Sequence, residues 1–263
     1  MRSAKYVATL GEGWFCELTV MPGDRGGPPS SKQSPAPVST RSEVEAFLDH
    51  VKKMAPAPEP GRRGRLIFAL DATMSRQPVW DTACALQAEM FREAAAVGGL
   101  DIQLVYYRGF GECRASNWLS QAETLAALMT AIDCRGGHTQ IGKVLAHAKR
   151  ETKRSKVQAL AFVGDAMEEK LDDLCHAAGD LGLLNLPAFM FQEGHDPVAE
   201  QAFREIARLT HGAYCKFDVG AAHQLGELLR AVAAYAAGGM RALADLSSRR
   251  QGGAMKLIEQ MRS

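Results

Sequence analysis

The sequence predicts an α/β fold: a doubly wound, mostly parallel six-stranded sheet with helices on both faces. Three observations carry that prediction. From Arg65 onward, short apolar runs alternate with longer amphipathic segments, so strands and helices take turns along the chain. The runs are nearly continuous in apolar residues, as in RLIFAL and VQALAFVG, which is the pattern of strands buried on both sides. The intervening segments repeat at helical spacing, with Ile141, Val144, Leu145 and Ala148 at i, i+3, i+4 and i+7.

Taken in order, KYVATLGEGWFCELTV at the start reads as a short hairpin. Residues 21–40 are dominated by Pro, Gly and Ser and read as a flexible linker or long loop, because they bury too little surface to offset ordering entropy. SEVEAFLDHVKKM has Val44, Phe47, Leu48 and Val51 at helical spacing behind Ser42 as N-cap, and APAPEPGRRG breaks the chain again. RLIFAL is the first core strand and VWDTACALQAEMFREAAAV the helix after it. DIQLVYY is a second strand and ECRASNW a short edge strand. QAETLAALMTAID is a helix with Leu125, Leu128, Met129 and Ile132 on one face, and QIGKVLAHAKR is another. VQALAFVG, LNLPAFMFQ and AYCKF complete six strands, interleaved with the helices KLDDLCHAAGDL, PVAEQAFREIARLT and AAHQLGELLRAVAAYAA. The chain thus divides into a partly disordered N-terminal extension with one short helix (1–61), an α/β domain (62–238) and a mobile C-terminal tail (239–263).

Composition narrows the function classes. The 263 residues are 46% hydrophobic and 23% charged with net charge +1, an ordinary globular balance without a global field to draw nucleic acid or an anionic membrane. GRRGR at 61–65 lies in a linker, and KRETKRSK at 149–156 lies at a helix end where bases complement the macrodipole, so both read as solvated charge. The six cysteines are scattered with no C-x-x-C pair, which argues against a zinc ribbon or a dithiol redox site. The start lacks the apolar core of a secretory leader, and no run is long enough to span a bilayer. The expectation is a cytoplasmic chain with reduced thiols, no membrane contact and no nucleic-acid partner.

Three places carry chemistry. DATMS follows the first core strand, and alternate side chains of extended chain point the same way, so Asp71, Thr73 and Ser75 emerge together. Hard oxygens grouped like this suit a small hard cation, above all Mg²⁺, with Mn²⁺ as the chemical alternative. The plainer reading is a strand end followed by a helix that Ser75 caps, with Pro78 in its first turn.

The second place is GHTQIGKV, from Gly137, one residue away from the phosphate loop G-x-x-x-x-G-K-[ST]. Its context is wrong, because a helical pattern rather than a strand precedes it. Val144, on the packed face, stands where a metal-binding hydroxyl is needed. What survives is Thr139 after the pair Gly136–Gly137, either an oxygen ligand or the N-cap of its helix. His138 reads as a loop histidine. The third place is AFVGDAMEE, where Asp165 sits just past a strand that should neighbour the first one. Asp165, Glu168 and Glu169 could all serve the positive end of the following helix; that reading is adopted for the two glutamates and not for Asp165.

The ordered trio, D-x-T-x-S, a Thr after a glycine pair and an Asp after a later apolar strand, resembles the metal-ion-dependent adhesion site of the von Willebrand factor A (VWA) family over about residues 64–237. The resemblance implies that Asp71, Thr73, Ser75, Thr139 and Asp165 are the metal ligands, and that ECRASNW is a short antiparallel edge strand of a Rossmann-like sheet. Two departures are visible: Thr73 stands where the family usually has Ser, and the glycine near the third segment precedes Asp165 as Gly164.

The resemblance also implies binding rather than catalysis: a Mg²⁺-dependent, intracellular protein-binding module whose metal is completed by a Glu or Asp of a partner, such as an ATPase or chaperone complex. Two carboxylates balance a dication while neutral hydroxyls leave it electrophilic, and no dedicated base or nucleophile accompanies the motif. The alternative is a metal-dependent phosphohydrolase with Asp71 as nucleophile, although Thr73 replaces the second acid that such chemistry uses.

Overall fold

One strand shows how the sheet comes to be covered on both sides. In β2 (Gly64–Asp71), Leu66, Phe68 and Leu70 join one core cluster, while Ile67 and Ala69 join the other. All five are essentially inaccessible to solvent, as period-two alternation in a doubly covered strand requires. The computed structural model describes residues 15–17, 63–73, 99–217 and 222–249.

Among these are β1 (Phe15–Glu17), β3 (Leu100–Arg108), β4 (Glu112–Ser116), β5 (Ala159–Gly164), β6 (Ala188–Glu193) and β7 (Ala213–Phe217). The described helices are α1 (Ala122–Thr130), α2 (Ile141–Arg154), α3 (Leu171–Leu183), α4 (Pro197–Leu209) and α5 (Ala222–Arg249). Leu125 and Met129 of α1 and Leu225, Leu228 and Val232 of α5 fill the first cluster. Ile141, Val144 and Leu145 of α2, Leu174 of α3 and Phe203 of α4 fill the second.

The strand order is β1-β4-β3-β2-β5-β6-β7. β2 pairs in parallel with β3 on one side and β5 on the other, and β6 and β7 continue in parallel. The six expected strands are all present, and ECRASNW supplies β4, antiparallel to β3. The sheet differs from expectation at its margin. Phe15–Glu17, from the N-terminal extension, pairs antiparallel with Glu17↔Arg114 through Phe15↔Ser116, so β4 is not the edge. An edge strand presents unpaired backbone donors and acceptors, and a distant segment has taken them. The rest of the hairpin expected near the start, the helices expected at 42–54 and 79–97, and the 21–40 linker lie outside the described residues.

The last helix also departs from expectation. It runs on to Arg249, across the boundary placed at Gly238. Two glycines cost about 1 kcal/mol each in a helix. The following MRALADL consists largely of good helix formers, and Ala242 is buried, so the helix passes through.

Candidate functional site

Strand order reverses at β2. From it the chain first builds outward through β3 and β4, then crosses back to β5, β6 and β7. In an open α/β sheet that reversal leaves a crevice beyond the carboxyl ends of the two central strands. Asp71 is the last residue of β2 and Asp165 follows the last residue of β5, and these strands are hydrogen-bonded neighbours with Leu70 opposite Val163. A cleft of about 210 Å³ opens there, lined by Asp71, Thr73, Gly136, Gly137, Thr139, Asp165, Ala166 and Glu168.

Four of the five sequence-predicted ligands, from three separate segments, therefore meet in one cleft: Asp71, Thr73, Thr139 and Asp165. Ser75 lies outside the described residues. The loop carrying Thr139 is held over the strand end by backbone bonds, Arg135 N donating to Ala72 O (3.0 Å) and His138 N to Gly109 O (3.1 Å). Gly137 is required at that contact, since a Cβ there would fall 2.0 Å from Gly109 O. The stretch is not a phosphate loop. It follows α1 rather than a strand, and Val144 is wholly buried.

The carboxylate of Asp71 is 1% exposed and tightly held. Its Oδ1 accepts from Thr73 N (2.8 Å) and its Oδ2 from Tyr107 Oη (2.9 Å). Burial pushes its pKa up to about 6; hydrogen bonds from the Thr73 side chain and backbone pull it down, the nearby Asp165 carboxylate pushes it up, and the Tyr107 hydrogen bond pulls it down. Burial and the same Asp71 charge keep the Tyr107 hydroxyl protonated well above its usual range, so it remains a donor. Asp165 contrasts with Asp71: its Oδ1 is buried without any hydrogen-bond partner.

The hydroxyl of Thr139 is not the cap of α2, whose N-cap residue is Gln140, with no capping bond from its side chain. Its Oγ1 accepts from Glu168 N (2.9 Å), and its side chain also bonds Glu169. The expected role of the glutamates is corrected here. Glu168 and Glu169 precede α3, whose own first turn carries Asp172 and Asp173. Glu169 instead caps α2 from across the cleft, accepting from Ile141 N (2.5 Å) and Gly142 N (2.9 Å). Glu168 Oε2 accepts from Thr139 N (3.1 Å) and pairs with His138 Nδ1 (2.9 Å). The α2 end had orphan donors, and the nearest acceptor in space was better placed than the nearest in sequence.

Sequence reasoning also missed Tyr107, whose hydroxyl fixes Asp71. Its only signal is the register Asp71↔Tyr107, which exists once β2 and β3 are paired.

The residues fit a hard divalent cation. The predicted donors are two carboxylates and two hydroxyls, Glu168 adds a third carboxylate to the cleft lining, and no soft ligand lies there. Side-chain hydrogen bonds tie Thr73 to Asp71 and Thr139 to Glu169, leaving lone pairs on the hydroxyl oxygens as acceptor capacity. The bare Asp165 oxygen lacks a positive partner. Among the described residues no three His, Cys, Asp or Glu side chains group as a metal site, so any cation here depends on hydroxyl oxygens. The departure at Gly164 has a packing reason: a Cβ there would stand 2.7 Å from the Phe162 ring.

No family model matches the sequence, and no curated protein matches it. Solved structures do. A von Willebrand factor type A protein from Catenulispora acidiphila superposes with TM-score 0.53 at 18% identity, over 66% of this chain and 42% of that one. The VWA domain of SpRpn10 matches with TM-score 0.50 at 13% identity, over 65% and 95%. Proximal thread matrix protein 1 from the mussel byssus, solved with zinc in its MIDAS motif, matches with TM-score 0.51 at 14% identity, over 66% and 46%. The match thus spans less than half of the Catenulispora and mussel chains. At such identities the likeness establishes the fold.

Proposed function

For a chain with the von Willebrand factor A-type fold and this cleft at its switch point, we propose the role of a protein-interaction module that docks an acidic residue of a partner through a divalent cation, Mg²⁺ or Mn²⁺. Asp71, Thr73, Thr139 and Asp165 would hold the ion, together with Ser75. The bound ion would supply a Lewis-acidic position open to a Glu or Asp carboxylate. The observation that carries this reading is the convergence of four oxygen-bearing side chains on one cleft beside a buried, unpartnered Asp165 oxygen.

The chain's own part is to hold the oxygens in place. Tyr107 and Thr73 N orient Asp71, while Glu168 and Glu169 clamp the Thr139 loop. This prepaid geometry lowers the ordering cost of binding. Four described cysteines, Cys113, Cys134, Cys175 and Cys215, are free thiols, which supports a reducing, cytoplasmic setting. Among the described residues no helix is long and apolar enough to cross a membrane.

The phosphohydrolase alternative gains nothing from the geometry. Thr73 stands where a second acid would be needed, and its side chain is hydrogen-bonded to Asp71. Calorimetric titration of the full chain with MgCl₂ and MnCl₂ tests the proposal. Saturable binding in the wild type that is lost in Asp71→Ala and Asp165→Ala supports it, provided circular dichroism shows both variants folded. Equal binding in all three overturns it.

A further inference from the structure

An exposed aromatic ring stands on the rim of the cleft. Phe110, at the tip of the turn between β3 and β4, is 84% exposed. An exposed phenylalanine alone means little, but this one is fixed to the cleft wall. His138 N donates to Gly109 O (3.1 Å), Gln140 Nε2 to Arg108 O (3.2 Å) and Lys143 Nζ to Gly111 O (2.7 Å). The imidazole of His138 meets the Phe110 ring edge-to-face, with centroids 5.2 Å apart and planes at 71°. His138 lies between Gly137 and Thr139, both of which line the cleft, and its Nδ1 pairs with Glu168, which lines it too. The turn that carries the ring and the loop that lines the cleft are therefore joined by hydrogen bonds into one rim.

The turn is also cationic. Arg108 and Arg114 both bind the Glu112 carboxylate, and Arg135, exposed, acts on it as well. Three guanidinium groups stand there against the two carboxylates of Glu112 and Asp133, a net positive charge that favours an acidic segment, and an exposed aromatic ring favours a large apolar side chain.

We propose that Phe110, backed by His138, is the specificity-determining element of the docking surface: it selects an acidic peptide segment that carries a large apolar side chain close to the carboxylate entering the cleft. This inference rests on the metal-bridged docking reading and adds the partner's chemistry to it. Phe110 contributes contact area without holding the metal, so truncating it leaves the cation site intact.

The test is selection of a phage-displayed peptide library, with one fixed Glu and randomised flanks, on the immobilised full chain. It is run in MgCl₂ and in EDTA, with wild type, Phe110→Ala, Phe110→Trp and Asp71→Ala. The expected result is Mg²⁺-dependent enrichment of Leu, Ile, Phe or Met beside the fixed Glu. That enrichment should persist with Phe110→Trp and disappear with Phe110→Ala. Synthetic peptides from the selection should bind Phe110→Ala about tenfold more weakly, while Mg²⁺ affinity measured by calorimetry stays unchanged. Mg²⁺-dependent capture of peptides without any apolar preference, the same in wild type and Phe110→Ala, overturns this inference and leaves metal-bridged docking standing. Capture that is insensitive to EDTA and to Asp71→Ala overturns both.

Discussion

Toward the amino ends of the parallel strands, Glu151 of α2 accepts from Trp118 Nε1 (2.9 Å) and Arg65 through one carboxylate oxygen, and from Arg154 (3.1 Å) through the other. The Arg65 guanidinium lies over the Trp118 ring, 3.7 Å from its centroid. Beside it, buried His147 Nε2 donates to Gln103 Oε1 (2.7 Å), whose amide donates to Ser116 O (2.9 Å). At the carboxyl ends the opposite holds. Asp71 and Asp165 face one cleft without a cationic side chain in its lining, and Asp165 Oδ1 has no partner. Both ends bury polar groups of the same kinds. One end satisfies its glutamate with charged and N–H donors; the other leaves Asp165 Oδ1 without a donor beside a lining that holds no cationic side chain, which is the contrast the proposed cation site rests on.

Mutations can break that contrast, and the largest expected effect is on metal binding. Asp71→Ala should reduce Mg²⁺ affinity at least tenfold in a calorimetric titration while the fold persists. Next comes Glu151→Ala, which strands the Trp118 N–H and takes the carboxylate from Arg65, leaving that guanidinium its bond to Ser155 O (2.8 Å). Losing one partner of a largely buried ion pair costs about 3 kcal/mol, read as a lowered urea midpoint at constant slope. Indifference to that change would show that the amino end is not the structural one.

A smaller effect comes from pH. Burial, the first cause, holds the His147 pKa down at about 4, against a small opposing push from Glu151 and further lowering by Arg150 and Arg154. The unfolded chain takes up a proton below about pH 6.5 that the folded chain refuses. Stability therefore falls as pH drops through this window, by about 2 kcal/mol between pH 7 and 5 from this group. His147→Gln should flatten that part of the profile; an unchanged slope would mean the imidazole is not what titrates.

Glu169→Ala removes the trans cap of α2. It should cost about 1 kcal/mol and also weaken Mg²⁺ binding, because the clamp on Thr139 loosens. The smallest effect has the most telling sign. Asp165→Asn in EDTA should leave the melting temperature unchanged or raise it, since an unpaired buried oxygen is a cost rather than a contact. A marked fall would mean that Asp165 is structural.

Much of this was legible in the letters because it is local. Leu66 to Leu70 read as a doubly buried strand, and Val144 read as a packed helix position, from their neighbours alone. Asp71, Thr73, Thr139 and Asp165 stood out because each follows a strand or a glycine pair, where side chains escape the core. Glu169 did not, since its nearest helix in sequence is α3 while the helix it caps is α2, 27 and 28 residues back. Tyr107 looked like any strand residue until the register placed its hydroxyl on Asp71.

What the sequence by itself determined, then, is the succession of strands and helices and the residue types available at each strand end, because hydrophobic period and turn chemistry act over a few neighbours. Only the tertiary structure decided which of those ends meet, that β1 would take the margin of the sheet, that α5 would continue past Gly238, and that Phe110 would stand beside the cleft. Those outcomes depend on register, crossover and packing between segments far apart in the chain, where no local pattern carries the information.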